Sequence, residues 1–209
     1  MFKNLIVFSF CFFLAACAGN TIRQAPLASK NLKQVDFFEQ GHTQAAFKVI
    51  GQMNDAYLEG VLRIKKIGEQ DFDVVVMTGG AYRVLQAVVS AEGVAYRYLF
   101  KDADTSLIRG RIDQFLRLLL LKPKAYRSLR NKKGEITLTF DGYDEKLRYF
   151  YKEGELYPRS ASSVKALNTC DISYSEYTPL GMEDNTQVPH QIIYKDGGIT
   201  LDLTLISLR

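Results

Sequence analysis

The stretch that decides the fold is Ser106–Leu121, SLIRGRIDQFLRLLLL. Ile108, Ile112, Phe115, Leu116 and Leu119 recur at helical spacing, so they share one face. Thr105 or Ser106 offers an N-cap and Pro123 a stop. Leu118, Leu120 and Leu121 widen the apolar side beyond an ordinary amphipathic stripe. Such a helix needs a broad apolar surface to lie on.

The flanking sequence supplies that surface, because outside this stretch the period is two. Ala46–Ile50 reads as a first strand, with Phe37 and Phe38 opening a short helix before it. From Tyr57 to Ile67, Leu58, Gly60, Leu62 and Ile64 fall on one face and Val61, Arg63 and Lys65 on the other. Phe72–Met77, Tyr82–Ser90 and Val94–Phe100 follow as short strands broken by Gly-containing turns. Beyond the helix, Tyr126–Asn131 reads as a second short helical turn. Ile136–Phe140 and Lys146–Tyr151 then alternate, another strand is expected after Gly154, and the pattern is poorest over Ser160–Asn168. Cys170–Tyr177, Gln187–Lys195 and Ile199–Ser207 complete the series. The expected fold is mainly β (α+β): a strongly curved antiparallel sheet, or incomplete β-barrel, with a helical lid. A pocket between sheet and lid would be lined by Leu62, Ile64, Val76, Ile112, Phe115, Leu116, Leu119, Leu138, Leu201 and Leu203.

The start of the chain carries a different kind of signal. Lys3 and the apolar run Leu5–Ala16 are too short to span a bilayer and suit a secretory leader. Leu14-Ala15-Ala16-Cys17 resembles a bacterial lipobox. That resemblance implies cleavage before Cys17, attachment of lipid to its thiol, and a chain anchored through acyl groups. Ala18 stands where Asp would hold a sorted lipoprotein in the inner membrane, so the implied address is the outer membrane, facing the periplasm. The expected layout is a lipoprotein-type signal at 1–16, a lipidated N-terminus and flexible tether at 17–34, and one half-barrel domain at 35–209.

The chain has 209 residues, three cysteines and a net charge of +4. With Cys11 in the leader and Cys17 acylated, only Cys170 remains, which excludes an intrachain disulfide and a multi-cysteine metal site. Cys170 reads as a small apolar filler. From Arg109 to Lys133 there are nine Lys or Arg against one acid, Asp113. Arg117, Lys122, Lys124 and Arg127 in this segment are candidates for contact with anionic headgroups, set against the plainer reading of a packed helix with solvated charges. The two histidines, His42 and His190, lie in no metal-binding pattern. No GxSxG, GxxxxGK[ST] or GxGxxG occurs. The acid pairs Asp71/Asp73 and Asp102/Asp104 flank turns and read as solvated carboxylates. These features point away from an enzyme, a cofactor, a metal and a nucleic-acid partner.

Two groups of residues carry a resemblance to a known family. One is Asp171-Ile172-Ser173-Tyr174-Ser175-Glu176-Tyr177, followed by a polar loop, Val188-Pro189-His190-Gln191-Ile192 and the last alternating strand. The other is Met77-Thr78-Gly79-Gly80 before Tyr82-Arg83-Val84-Leu85. Over roughly Phe47–Leu208 the chain resembles the LolA/LolB superfamily of the pathway that moves lipoproteins to the outer membrane. It departs by having no tryptophan and by the plain turn tip Thr78-Gly79-Gly80. The resemblance implies a hydrophobic half-barrel holding acyl chains, with no covalent step. The expected function is therefore an outer-membrane-anchored, non-catalytic carrier or acceptor of lipid or lipoprotein cargo, acting as a monomer. The alternative is a structural or assembly lipoprotein that docks a protein partner and has a filled interior. A cavity beneath Leu116 separates the two.

Overall fold

The computed structural model describes residues 32–53, 56–79, 81–122, 127–130, 135–142, 145–165, 168–180 and 186–209. Cys17, Lys124 and the expected leader and tether up to residue 31 lie outside them. Twelve strands form one antiparallel sheet: β1 Gln44–Met53, β2 Ala56–Lys66, β3 Phe72–Thr78, β4 Arg83–Ser90, β5 Gly93–Leu99, β6 Arg127–Arg130, β7 Ile136–Gly142, β8 Glu145–Tyr151, β9 Ser160–Lys165, β10 Asn168–Pro179, β11 Gln187–Asp196 and β12 Ile199–Leu208. The order is β5-β4-β3-β2-β1-β12-β11-β10-β9-β8-β7-β6. Two meanders, β1–β5 and β6–β12, thus meet at the β1·β12 seam, and β5 and β6 are the outer edges. The helix α1, Ser106–Leu120, is the link between those two edges. It packs against β4 and β5 on one side and β9 and β10 on the other, which requires the sheet to curl around it.

Alternation sets the inner face. Along β2, Leu62 and Ile64 are buried while Arg63 and Lys65 are exposed. Across the seam Val49 faces Leu203 and Gly51 faces Leu201. Gly60 marks a close backbone approach. A Cβ there would sit 2.2 Å from the Met77 carbonyl oxygen, beside the bulge at Val76/Met77 in the β3·β4 ladder.

The half-barrel has two unlike ends. At one, Phe37, Phe38, Phe47 and Phe72 stack edge-on and tilted, with ring centroids 5.2 to 6.4 Å apart, and fill the interior. Asp36 accepts from the Phe38 amide at 2.8 Å and pairs with Lys122, which pins this plug under the end of α1. The chain enters here. Lys33 donates its amide to the Leu156 carbonyl at 2.8 Å, and its own carbonyl accepts from the Tyr151 hydroxyl at 3.1 Å. The last residue, Arg209, pairs with Gln44 at the same end. The opposite, open end carries the β1–β2, β3–β4 and β11–β12 turns and the start of α1.

Three local readings change. Residues 127–130 are strand β6, not a helical turn: extended backbone completes the ladder with β7. The chain after Gly154 turns, and the strand begins only at Ser160. Its pattern is faint because Ser160, Ala161, Ser162 and Ser163 are small where the helix comes close. Phe37 and Phe38 precede a single 3-10 turn, Glu39–Gly41, rather than opening a helix.

Candidate functional site

The amino-terminal half of α1 roofs a cavity of about 250 Å³. Thr105 caps the helix, its side chain accepting from the Ile108 amide at 3.2 Å. From there Ile108, Ile112, Phe115 and Leu116 project down at helical spacing. The floor comes from β1 to β4, β11 and β12, through Val49, Leu62, Val76, Leu85, Leu201 and Leu203. The wall is almost wholly carbon, so the space favours an apolar occupant.

Seven of the ten candidate lining residues meet here: Leu62, Val76, Ile112, Phe115, Leu116, Leu201 and Leu203. Ile64, Leu119 and Leu138 do not line the cavity, although all three are buried in the same core. Ile64 lies on β2 toward the phenylalanine plug, opposite Ala45 and Val74. Leu119 belongs to the carboxyl-terminal half of α1, which runs over that plug. Leu138 sits on β7, remote from the seam. What the sequence could not show was that Phe37 and Phe38 fold back into the interior against Phe47 and Phe72.

Three ties hold the roof. Tyr96 on β5 donates to Asp113 at 2.5 Å and lies beneath the Arg109 guanidinium, 4.9 Å from its ring centroid. Burial, then the Asp113 carboxylate, pushes the Tyr96 phenol well above its ordinary value. Gln114, buried, donates to the Ser163 carbonyl at 3.2 Å and to its hydroxyl at 2.9 Å. Arg111 reaches the buried Asp196 carboxylate at 3.4 Å, and Tyr194 donates to the same carboxylate at 3.2 Å. Arg111 and Tyr194 are therefore polar groups placed at the cavity wall, with the Tyr194 ring 4.8 Å from Phe115.

Around the open end, large apolar side chains face outward: Tyr57, Tyr82, Tyr98, Phe100 and Leu107 are 66, 76, 42, 48 and 59% exposed. Tyr57 opens β2, Tyr82 precedes β4, Tyr98 and Phe100 lie at the end of β5 and Leu107 starts α1, so all five lie at the open end. Single exposed apolar residues are ordinary, but several around one opening are not. The candidate headgroup contacts lie elsewhere. Lys122 is engaged by Asp36 and lies 3.9 Å from Glu39 at the plugged end. Arg117 is half-buried on α1. Arg127 falls on β6, with only its backbone described. Cys170 is fully buried on β10, as a filler would be. Among the described residues no cluster of His, Cys, Asp and Glu is suited to a metal ion, and no helix is long and apolar enough to cross a membrane.

An open antiparallel sheet curled around one helical lid, with an apolar cavity between them, defines a class of half-barrel. A LolA superfamily protein from Nitrosomonas europaea superposes with a TM-score of 0.57 at 13% identity, over 82% of this chain and 87% of that one. The fold is LolA/LolB-like. A putative outer membrane lipoprotein-sorting protein domain from Vibrio parahaemolyticus gives 0.47 at 10% identity, over 80% of this chain and 85% of that one. A DUF1329 family protein from Desulfovibrio piger gives 0.43 at 10% identity, over 81% and 86%. The sequence matches no family model and no curated protein.

Proposed function

We propose that this protein binds an acyl chain beneath α1 as a non-catalytic carrier or acceptor of lipid or lipoprotein, held at the outer membrane through an acylated Cys17 and facing the periplasm as a monomer. The carrying observation is the carbon-lined cavity under Ile112, Phe115 and Leu116. Every CH₂ group moved from water into it contributes about 0.8 kcal/mol, so a saturated chain needs no polar contact for affinity. The LolA-like fold supports the same reading. The volume sets a limit. About 250 Å³ lies below the range of roughly 300–1,000 Å³ usual for small-molecule pockets, so it accepts part of one chain. A bulkier cargo requires α1 to lift from its three ties. The rim from Tyr57 to Leu107 suits contact with a bilayer interface, where aromatic side chains concentrate. It takes over the membrane-facing role expected of Lys122 and Arg117.

The test uses the unacylated Cys17→Ser chain and its Val76→Trp variant, which fills the cavity from β3. Native mass spectrometry of the former is expected to show co-purified lipid, and a fluorescent fatty acid is expected to bind saturably. Val76→Trp is expected to lose at least tenfold in affinity while melting within a few degrees of the parent. Absence of both lipid and saturable binding in the parent, or equal binding by the filled variant, would leave the structural-lipoprotein reading in place.

A further inference from the structure

A second hollow, of about 550 Å³, opens at the plugged end on the inner side of β10, away from the carbon-lined cavity. Its wall is chemically different, built from Tyr157, Tyr174, Tyr177 and Leu156 with Gln187 and the Glu155–Arg159 pair. Residues 174 and 177 of a regular strand would face opposite sides of the sheet. Here Glu176 takes a φ of 55°, while the register runs unshifted from Ser175↔Gln191 to Tyr177↔Pro189. Tyr174 and Tyr177 nevertheless line the same hollow. A non-glycine residue in the left-handed region is a local cost, and such strain concentrates at functional sites.

Two of the rings are fixed. Tyr157 and Tyr177 stack with centroids 5.4 Å apart at 29°. The Tyr177 hydroxyl donates to the Pro158 carbonyl at 2.5 Å, and the Tyr157 oxygen accepts from the Gln187 amide at 2.9 Å. Tyr174 is different. It is 6% exposed and lines the hollow, yet its hydroxyl has no hydrogen-bond partner among the described residues. A hydroxyl that opens into the hollow and makes no bond to the protein is available to a ligand.

The geometry points to a binding site for a neutral sugar. Arg159 already grips Glu155 through two hydrogen bonds of 2.7 and 2.5 Å, so the pair presents no net charge to an anion or a cation. The Tyr174 hydroxyl and the Gln187 side chain supply donors and an acceptor that an acyl chain cannot use. The rings and Leu156, 40% exposed, offer apolar surface to the C–H face of a pyranose. A sugar, apolar on its faces and rich in hydroxyls at its edge, matches all three features. This site goes beyond the lipid-binding reading and does not depend on it.

The experiment is calorimetric titration of the full-length protein in nanodiscs with chitotriose and, separately, maltotriose, with empty nanodiscs as the blank. At least one is expected to bind saturably. Tyr174→Phe, which removes only the oxygen, is expected to weaken that binding about tenfold without lowering Tm. Pre-loading with a fatty acid is expected to leave sugar binding unchanged. No saturable binding of either sugar, or equal binding by parent and Tyr174→Phe, overturns the assignment. Loss of sugar binding on fatty-acid loading also overturns it, because the two hollows would then be one site.

Discussion

Gly60 shows how far a single residue can be read in each direction. In the sequence it is one of the alternating inward positions of β2 and could pass for a weak point in a strand. In the structure it is where two backbones touch. Gly60→Ala drives a methyl to within 2.2 Å of the Met77 carbonyl, and the bulge beside it leaves little room to relax. The expected cost is about 2 kcal/mol, or a Tm lower by roughly 5 °C, measured by calorimetry; an unchanged Tm would mean that β3 yields. Legibility at this scale follows one rule. Inward residues such as Leu62, Leu201 and Leu203 were visible because alternation alone places them. Ile64 was equally visible as inward, but its neighbours were not, since Phe37 and Phe38 come from some 25 positions earlier. Tyr174 and Tyr177 defeat the same rule, because left-handed backbone at Glu176 leaves no trace in a pattern of period two.

At the scale of elements, α1 was legible in full, from its Thr105 cap to its last leucines, because hydrophobic period and capping chemistry agree. Strand β9 was not, and the reason is physical. Its Ser162 and Ser163 are polar yet buried, a combination that makes sense only once Gln114 is brought opposite Ser163. That tie can be measured. Gln114→Leu removes both hydrogen bonds to Ser163 and is expected to cost about 2 kcal/mol. Ser163→Ala added to Gln114→Leu is expected to cost less than Ser163→Ala alone, with a coupling of about 1 kcal/mol in a double-mutant cycle. Strict additivity would show that the bond does not fasten the helix. If it does fasten it, and the proposed acyl binding holds, the double variant is expected to admit larger acyl cargo than the parent, because one tie on the lid is gone.

Across the whole molecule, burial of phenols sets a limit on the alkaline side. Tyr96, Tyr174, Tyr177 and Tyr194 are each held above the ordinary tyrosine value near 10, burial being the largest cause in every case. Above pH 10 the unfolded chain releases these protons while the folded chain keeps them. The folded state then binds more protons, so stability falls as pH rises. The stability these phenols contribute is fully present below pH 10. Thermal melts from pH 8 to 11 are expected to show Tm flat and then dropping. Absorbance near 295 nm is expected to show Tyr96, Tyr174, Tyr177 and Tyr194 ionising only with unfolding; a tyrosine titration completed in the folded protein would refute this. The curled sheet itself was legible from its strand series and one over-apolar helix. That the helix would join the two outer edges was not, since strand order depends on pairings distant in sequence.

Chain entry at Lys33 and the cavity mouth lie at opposite ends of the half-barrel, and this fixes a direction. The body between them is about 33 Å long, judged from the ten residues of β1. For a chain anchored at Cys17, the fourteen residues 18–31 span at most about 50 Å when fully stretched. On the anchoring proposed above, a slack leash would leave the plugged end toward its own bilayer and the mouth pointing outward. To turn the mouth down onto that same bilayer, most of the leash would have to be drawn along the flank of the barrel. The proposed carrier would then rest as a receiver facing arrivals, and delivery into the anchoring membrane would be a separate, somersaulting step.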